Sequence, residues 1–373
     1  MADQKNKIVQ KNMIFLCHAG HVGGVEYVTY QHAKYAKQLG YNVSMFYVTK
    51  GFFSNKVEDL GIKCYDIKLT ISSEDFIPII KVLDPDVIYI SNCPEFLPKV
   101  GHFNKAVDKK AKVIFPLHST IEWCTGNAFA YKHVVNKFLV IHDGIKKALL
   151  DLKIPESQIQ VVPNWIEESI PLRNMELNKK IRTQYKIDSD TTVIGMLTRL
   201  HDDKNPWSCA KIMKKILQKG KYHLLIIGDG PQKQDILNFA SDNKFQDKIT
   251  ITGFLKPGEA YDIMHAMDIC MNNSTMEGLP ISLLEALAMG LYCIYPTVGG
   301  IPTVMPDKYS SLVNIKPRLG GSYADIEEQL FADEIVRVQS LDIRSMIKQI
   351  RAHIMDLVSV TKLLPSYTKL LED

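Results

Sequence analysis

The sequence predicts an α/β protein built as two halves in tandem, each a parallel sheet covered by helices. Three observations carry that prediction. With 373 residues the chain exceeds one ordinary hydrophobic core, since domains run to roughly 150 residues. Short apolar runs alternate with amphipathic helical stretches, which is how strands buried on both faces read in sequence. The alternation begins near residue 13 and restarts near residue 190, after a charged and polar stretch. A hydrophobic content of 46% with 23% charged residues excludes a mainly disordered chain.

In the first half, residues 13–17 read as a strand, followed by a polar, glycine-rich turn from His18 to Gly24. Val25, Val28, Ala33, Ala36 and Leu39 then predict a helix that Gly40 stops. Further strands are expected at 42–48, 87–90, 112–117 and 138–142. In the second half, strands are expected at 192–197, 222–227, 249–251, 268–272 and 292–295. The helices between them are expected at 206–218, 235–243 and 280–289, and from about 318 to Leu371 the pattern is helical and amphipathic. The expected division is 1–165, a hinge at 166–190, a second domain over 191–350, and a C-terminal helix over 351–373 packing back toward the first half. In such halves ligands bind outside the carboxyl ends of the strands, so two facing sheets place the site in a cleft.

Charge is unevenly spread. Residues 1–165 hold 20 Lys, no Arg and 15 acidic residues, a balance of +5, and the remainder balances at −1. A net charge of +4 is too mild to call for nucleic acid. Lys99, Lys105, Lys109, Lys110 and Lys112 read either as a solvated helix face or as attraction to an anionic membrane or acidic acceptor. The seven Cys include no C-x-x-C pair, which argues against a disulfide framework and a structural zinc site. No stretch approaches 18 uninterrupted apolar residues, and the run at 13–18 is too short for a signal peptide, so a cytoplasmic protein is expected.

Four places could carry chemistry. Glu277 and Glu285 stand eight residues apart, the first in a loop and the second on a helix. Between them, Gly278 lets backbone approach a ligand, Pro280 suits a first helical turn, and the free amides of the helix start favour phosphate. Two glutamates alone read as a surface loop followed by a core helix. Arg199 offers a planar fork and Lys204 a point charge directly after a strand. Gly20, Gly23 and Gly24 miss the G-x-G-x-x-G spacing but still expose amides at a helix start. His118 follows the strand at 112–117, where a lone histidine is either structural or functional. Asp84-Pro-Asp86 reads as a turn before a strand rather than a metal site, and no H-E-x-x-H spacing occurs.

Taken together, Thr198–Lys204, Gly228–Pro231, Thr252–Leu255, Glu277 through Gly290 and Gly299–Val304 resemble the nucleotide-binding half of glycosyltransferase family four. The resemblance implies the GT-B architecture of two Rossmann-like domains, and a retaining, metal-independent transfer of a hexose-type sugar from a nucleoside-diphosphate sugar. It implies Arg199 and Lys204 at the donor diphosphate and Glu285 at the ribose hydroxyls. Glu277 would contact the donor sugar, Phe254 and Leu255 the nucleobase, and the amides around Gly278 and Leu279 the sugar and phosphate. In the first half, Gly23 and Gly24 resemble the family's glycine pair near the phosphates, and His118 its histidine near C6 of the sugar. No cofactor or metal is implied. The implied partners are the donor, with a UDP-sugar favoured, and a glycan, lipid-linked or polymer acceptor.

The sequence departs from the family pattern at Trp165, where a Gly is usual, and at His142, where a Ser is common. Thr303 and Thr198 likewise replace a usual Glu and Gly. Two rival readings stand beside transfer: a non-catalytic sugar-nucleotide-binding scaffold and a GT-B-like sugar-nucleotide epimerase. Retention of Arg199, Lys204, Glu277 and Glu285 favours transfer.

Overall fold

The structure is a computed structural model that describes residues 10–316 and 323–372. The chain divides into two compact units. One runs up to Asn164 and takes in the segment from Leu363, and the other is Trp165–Lys362.

Unit 1 alternates β1 (Asn12–Ala19), α1 (Gly24–Gln38), β2 (Asn42–Thr49), α2 (Phe52–Asp59), β3 (Lys63–Asp66), α3 (Ser73–Val82) and β4 (Val87–Ser91). It continues with α4 (Leu97–Ala106), β5 (Lys112–Leu117), α5 (Glu122–Ala130), β6 (Lys137–Val140), α6 (Asp143–Asp151) and β7 (Ile159–Val161). The seven strands lie in the order β3-β2-β1-β4-β5-β6-β7, and every pairing is parallel. All five residues of β4, Val-Ile-Tyr-Ile-Ser, are buried, as expected of a central strand covered on both faces.

Unit 2 runs α7 (Met175–Gln184), β8 (Thr192–Leu197), α8 (Pro206–Ile216), β9 (Tyr222–Ile227), α9 (Lys233–Asp242), β10 (Ile249–Ile251), α10 (Pro257–Met264) and β11 (Ile269–Met271). Then come α11 (Ile281–Ala288), β12 (Tyr292–Pro296), β13 (Ser310–Val313), α12 (Asp325–Gln339), α13 (Ile347–Val358) and α14 (Val360–Glu372), whose later turns belong to unit 1. The sheet order β10-β9-β8-β11-β12-β13 is again wholly parallel. Both sheets reverse direction of growth beside their first strand, between β1 and β4 and between β8 and β11. These are the switch points where open α/β sheets take ligands.

Several expectations are corrected. The stretch 166–190 is not a bare hinge: α7 occupies its middle and is tied into unit 2. Asn178 donates to the His265 carbonyl at 2.8 Å, and Arg182 donates to the Ala266 carbonyl and to Asp268. The last element joins unit 1 from Leu363 rather than from 351. There Gln160 donates to the Ser366 carbonyl at 2.7 Å, and Tyr367 donates to the His32 carbonyl at 3.0 Å. The expected amphipathic pattern begins at about 318, outside the described residues. Pro280 is the N-cap of α11 rather than its first turn, and His142 ends no strand but caps α6. Trp165, in place of the usual Gly, is buried, and Ile166 beside it exchanges backbone bonds with Val358 and Val360 at 3.0 Å.

Candidate active site

Unit 2 gathers its charged groups at the β8–β11 switch point. A short 3-10 turn, Asp202–Lys204, follows β8 and ends at Asn205. Asn205 adopts φ +48°, a left-handed conformation that Asn tolerates better than most residues. Its side chain and that of Asn273 reach across to each other's backbone: the Asn273 amide donates to the Asn205 carbonyl at 2.9 Å, and the Asn205 amide to the Asn273 carbonyl at 3.4 Å. This lacing brings the loop after β8 against the loop after β11. There Lys204 Nζ lies 2.8 Å from Glu277 Oε1, across 73 residues of sequence. The Glu277 side chain is only 7% exposed and that of Lys204 21%. Arg199 stands apart, exposed and paired with Asp203 on its own loop at 3.1 Å.

Two glycines make the neighbouring loops possible. Gly228, at φ +152°, follows β9 and lies so close to the loop after β8 that a Cβ would stand 1.8 Å from the Thr198 carbonyl oxygen. Gly228 also donates to the Gly253 carbonyl at 3.1 Å, fixing the start of the segment that carries Phe254 and Leu255. Phe254 is 57% exposed, an aromatic face left open, and Leu255 is half-buried. Gly299, at φ +57°, plays the same part beyond β12: a Cβ there would stand 2.0 Å from the Glu277 carbonyl oxygen. Its neighbour Gly300 donates to the Gly278 carbonyl at 2.6 Å. The loop holding Glu277 and Gly278 is thus clamped from both sides.

Beyond that loop, Leu279 is buried and α11 begins, its first amides left without helical acceptors. Glu285, just over one turn in, is buried and accepts a hydrogen bond from the Tyr261 hydroxyl at 2.7 Å. Burial raises its carboxyl to about 7, against the opposing pull of the Tyr261 bond. A carboxyl held this way can bridge two hydroxyls, and α11's open amides can hold an anion. The predicted residues of unit 2 therefore fall on adjoining strand-end loops and one helix start, and Lys204 and Glu277 touch directly.

In unit 1, Gly23 caps α1 in extended conformation and Gly24 is its first residue, beside the β1–β4 switch point. A Cβ at Gly23 would meet the Glu26 carboxylate at 2.2 Å. His118 directly follows β5. Its Nε2 is buried with no partner among the described residues, and burial lowers its pKa to about 4. Asp86 accepts the Asn12 amide at 2.7 Å, and Lys109 bridges Asp84 and Asp86 at 3.0 Å, so Asp84-Pro-Asp86 is an ion-paired turn. Among the described residues no helix is long and apolar enough to cross a membrane.

Sequence reasoning missed four contributors. Asn205 and Asn273 fix the loops, Tyr261 holds Glu285, and Thr275 carries a buried Oγ1 with no partner among the described residues. The first could have been suspected from Asn-Pro just before a helix. The others depend on contacts between distant segments.

Residues 178–337 match the family model of glycosyl transferases group 1. Over 207 residues the chain is 25% identical to the N-acetyl-alpha-D-glucosaminyl L-malate synthase of Bacillus anthracis, covering 53% of each protein. Over 219 residues it is 24% identical to an Escherichia coli UDP-Gal:alpha-D-GlcNAc-diphosphoundecaprenol alpha-1,3-galactosyltransferase, covering 57% of this chain and 55% of that one. The matches span about half the length of these curated relatives. An Anabaena protein solved with UDP-glucose superposes with a TM-score of 0.79 at 14% identity, over 97% of this chain and 99% of that one. The fold is GT-B, and residues 178–337, within unit 2, are similar to the group 1 glycosyl transferases.

Proposed function

We propose that the protein is a retaining glycosyltransferase that moves a hexose-type sugar from a nucleoside-diphosphate sugar to a glycan, lipid-linked or polymer acceptor. The observation that carries the reading is the Lys204–Glu277 contact at the β8–β11 switch point, where a cation meets a sheltered carboxylate beside an open helix start. Lys204 and Arg199 neutralise the diphosphate as the bond to the anomeric carbon breaks. Glu277 orients the donor sugar, and Glu285 bridges the ribose hydroxyls. The acceptor oxygen bonds to the anomeric carbon on the face the diphosphate leaves, and its proton passes to the leaving phosphate. His118 is a sugar-contacting residue on the same reading. The positive charge comes from side chains, so the proposal includes no metal and no cofactor. A UDP-sugar is the favoured donor, supported by the UDP-Gal of the Escherichia coli relative and the UDP-glucose bound to the Anabaena protein. The lysines of unit 1 add weak peripheral contact with an anionic membrane, on the cytoplasmic side.

The test is incubation with a panel of nucleotide-sugars and candidate acceptors, following nucleoside diphosphate release and the anomeric configuration of the product. Release with one donor and a retained configuration supports the reading. Tight donor binding without release would leave a scaffold, and release without a new glycosidic bond would point to an epimerase or hydrolase.

A further inference from the structure

His142 stands at the carboxyl edge of the unit 1 sheet, two residues past β6, the strand next to the one that delivers His118. Leu117 of β5 pairs with Val140 of β6, so the two histidines leave neighbouring strands one and two residues past that pair. His142 is only 6% exposed. Its Nδ1 accepts the backbone N–H of Gly144 at 3.1 Å and so caps α6. Residue 144 makes room for this: a Cβ there would lie 2.9 Å from two atoms of the imidazole ring. The imidazole cap and the glycine that admits it go together.

The cap decides where the ring proton is. A nitrogen that accepts a hydrogen bond must present its lone pair, so in the neutral ring the proton sits on Nε2. A doubly protonated ring could not accept from Gly144 at all. Burial pulls the ring toward its neutral form, against the weaker opposing pull of Asp143. Yet Nε2 is buried and has no partner among the described residues. An N–H donor left unmet in the interior is costly, and an acceptor arriving from outside the fold relieves that cost. Ser, Thr, Asp or Asn would cap α6 without that cost.

We propose that His142 is a substrate-binding residue whose Nε2–H donates a hydrogen bond to an oxygen of the substrate held at the carboxyl edge of unit 1. The oxygen is a neutral or anionic acceptor, a hydroxyl or phosphate oxygen, on either the sugar donor or the acceptor molecule. This rests on the proposed transferase reading for the identity of the substrate, but not for the state of the ring.

Two measurements test it. The tautomer is read by ¹⁵N NMR of the histidine-labelled full chain at neutral pH, with no substrate present. The Nε2–H form is expected, and an Nδ1–H or doubly protonated ring overturns the proposal. The second compares wild type with His142→Asn, which keeps a capping oxygen and lacks the Nε2–H. The melting temperature should hold or rise while one KM rises about tenfold, the loss of one hydrogen bond, with a smaller change in kcat. A rise in the nucleotide-sugar KM places the oxygen on the donor, and a rise in the other KM places it on the acceptor. Unchanged kinetics beside an active wild type overturns the proposal in favour of a bound water. If the wild type releases no nucleoside diphosphate from any donor, the transferase reading fails, and the tautomer still decides His142.

Discussion

The two units share a topology and differ in how they handle buried polar groups. Unit 1 buries neutral ones. His32 bonds Tyr89 at 2.6 Å and stacks on Tyr367 at 4.6 Å between ring centroids, while Thr29 and Ser91 bond at 2.6 Å. Unit 2 buries ions. Arg173 donates to Asp268 at 2.6 Å, Arg182 reaches the other carboxylate oxygen, and the Val193 N–H completes the set at 2.9 Å. Burial alone would raise the Asp268 carboxyl, but the two guanidinium groups hold it below its ordinary value. The same contrast holds at the strand ends, with uncharged imidazoles in unit 1 and Arg199, Lys204 and Glu277 in unit 2. The difference teaches that overall charge misleads about local chemistry. The half with a balance of +5 keeps its lysines on the surface, while the half near neutrality buries the Arg173–Asp268–Arg182 cluster and brings Lys204 against a sheltered Glu277.

Asp268 is the point at which to break unit 2. Asp268→Ala leaves Arg173 and Arg182 buried with no counter-ion, a change that costs about 3–5 kcal/mol. Chemical denaturation should show a matching drop in stability, and a drop below about 1 kcal/mol would mean that the ionic centre contributes little. Such a swap in the neutral network of unit 1, Ser91→Ala, should cost no more than about 1–2 kcal/mol.

Lys204 and Arg199 come next, and the structure separates them. Lys204→Ala removes the partner of a sheltered carboxylate and should lower kcat/KM by about 2–5 kcal/mol in transition-state terms. Arg199 is exposed and pairs only with its own loop, so Arg199→Ala should cost less, about tenfold. Steady-state kinetics on both variants checks the order. Equal losses would mean that Arg199 swings onto the diphosphate as fully as Lys204.

What the sequence made legible follows from the same contrast. Strand-end residues such as Arg199, Glu277 and His118 were readable because apolar runs announce where strands stop. The helix α7 was not, because its core-facing residues include Asn178 and Arg182, whose polarity hides the burial that Asp268 and the His265 and Ala266 carbonyls make possible. The short strand β3, half exposed along its four residues, gives too little alternation to be seen. The Lys204–Glu277 contact joins segments that no local pattern links, and Asp268 reads as the first residue of an ordinary strand.

The pH response should set buried histidines against a buried carboxyl. Burial, aided by the charge of His118, lowers His32 to about 3 in the folded state. The folded ring stays neutral while the unfolded one takes a proton, so unit 1 loses stability as pH falls from 6.5 toward 3, by about 2 kcal/mol at about pH 5. Glu285 runs the other way. Its folded pKa is raised from 4.5 to about 7, so its contribution is present below 4.5 and lost as pH rises through 7. Between about pH 5 and 6.5 the two effects oppose each other, with His223 of unit 2, lowered by burial to about 4, adding to the loss on acidification, and above about pH 7 neither contributes a slope. In melting curves across this range His32→Gln should reduce the loss on lowering pH and Glu285→Gln the loss on raising it. Slopes unchanged by either substitution would remove the titrating groups from the explanation.

The smallest effect concerns the surface lysines, which are the source of unit 1's positive balance. Five lie between 99 and 112, but they are not equivalent. Lys109 is held by Asp84 and Asp86, Lys112 donates to the Leu370 carbonyl at 2.5 Å, and Lys99 donates to the Glu95 carbonyl at 2.9 Å. Lys105 and Lys110 are exposed and take part in no ion pair among those described. A lysine near an anionic bilayer contributes about 1 kcal/mol, or about fivefold in partitioning, and only if its charge is not already neutralised. Two such residues give weak and salt-sensitive contact, far short of anchoring. Lys105→Glu with Lys110→Glu should therefore abolish sedimentation with phosphatidylserine vesicles at low salt, while Lys109→Glu should weaken it less and also loosen the Asp84–Asp86 turn. Donor binding should not change. If wild type fails to sediment even at low salt, the lysines are a solvated face and the acceptor is met in solution. If Lys109→Glu proves the more damaging variant, its ion pairs open at the membrane and the surface is built from all three.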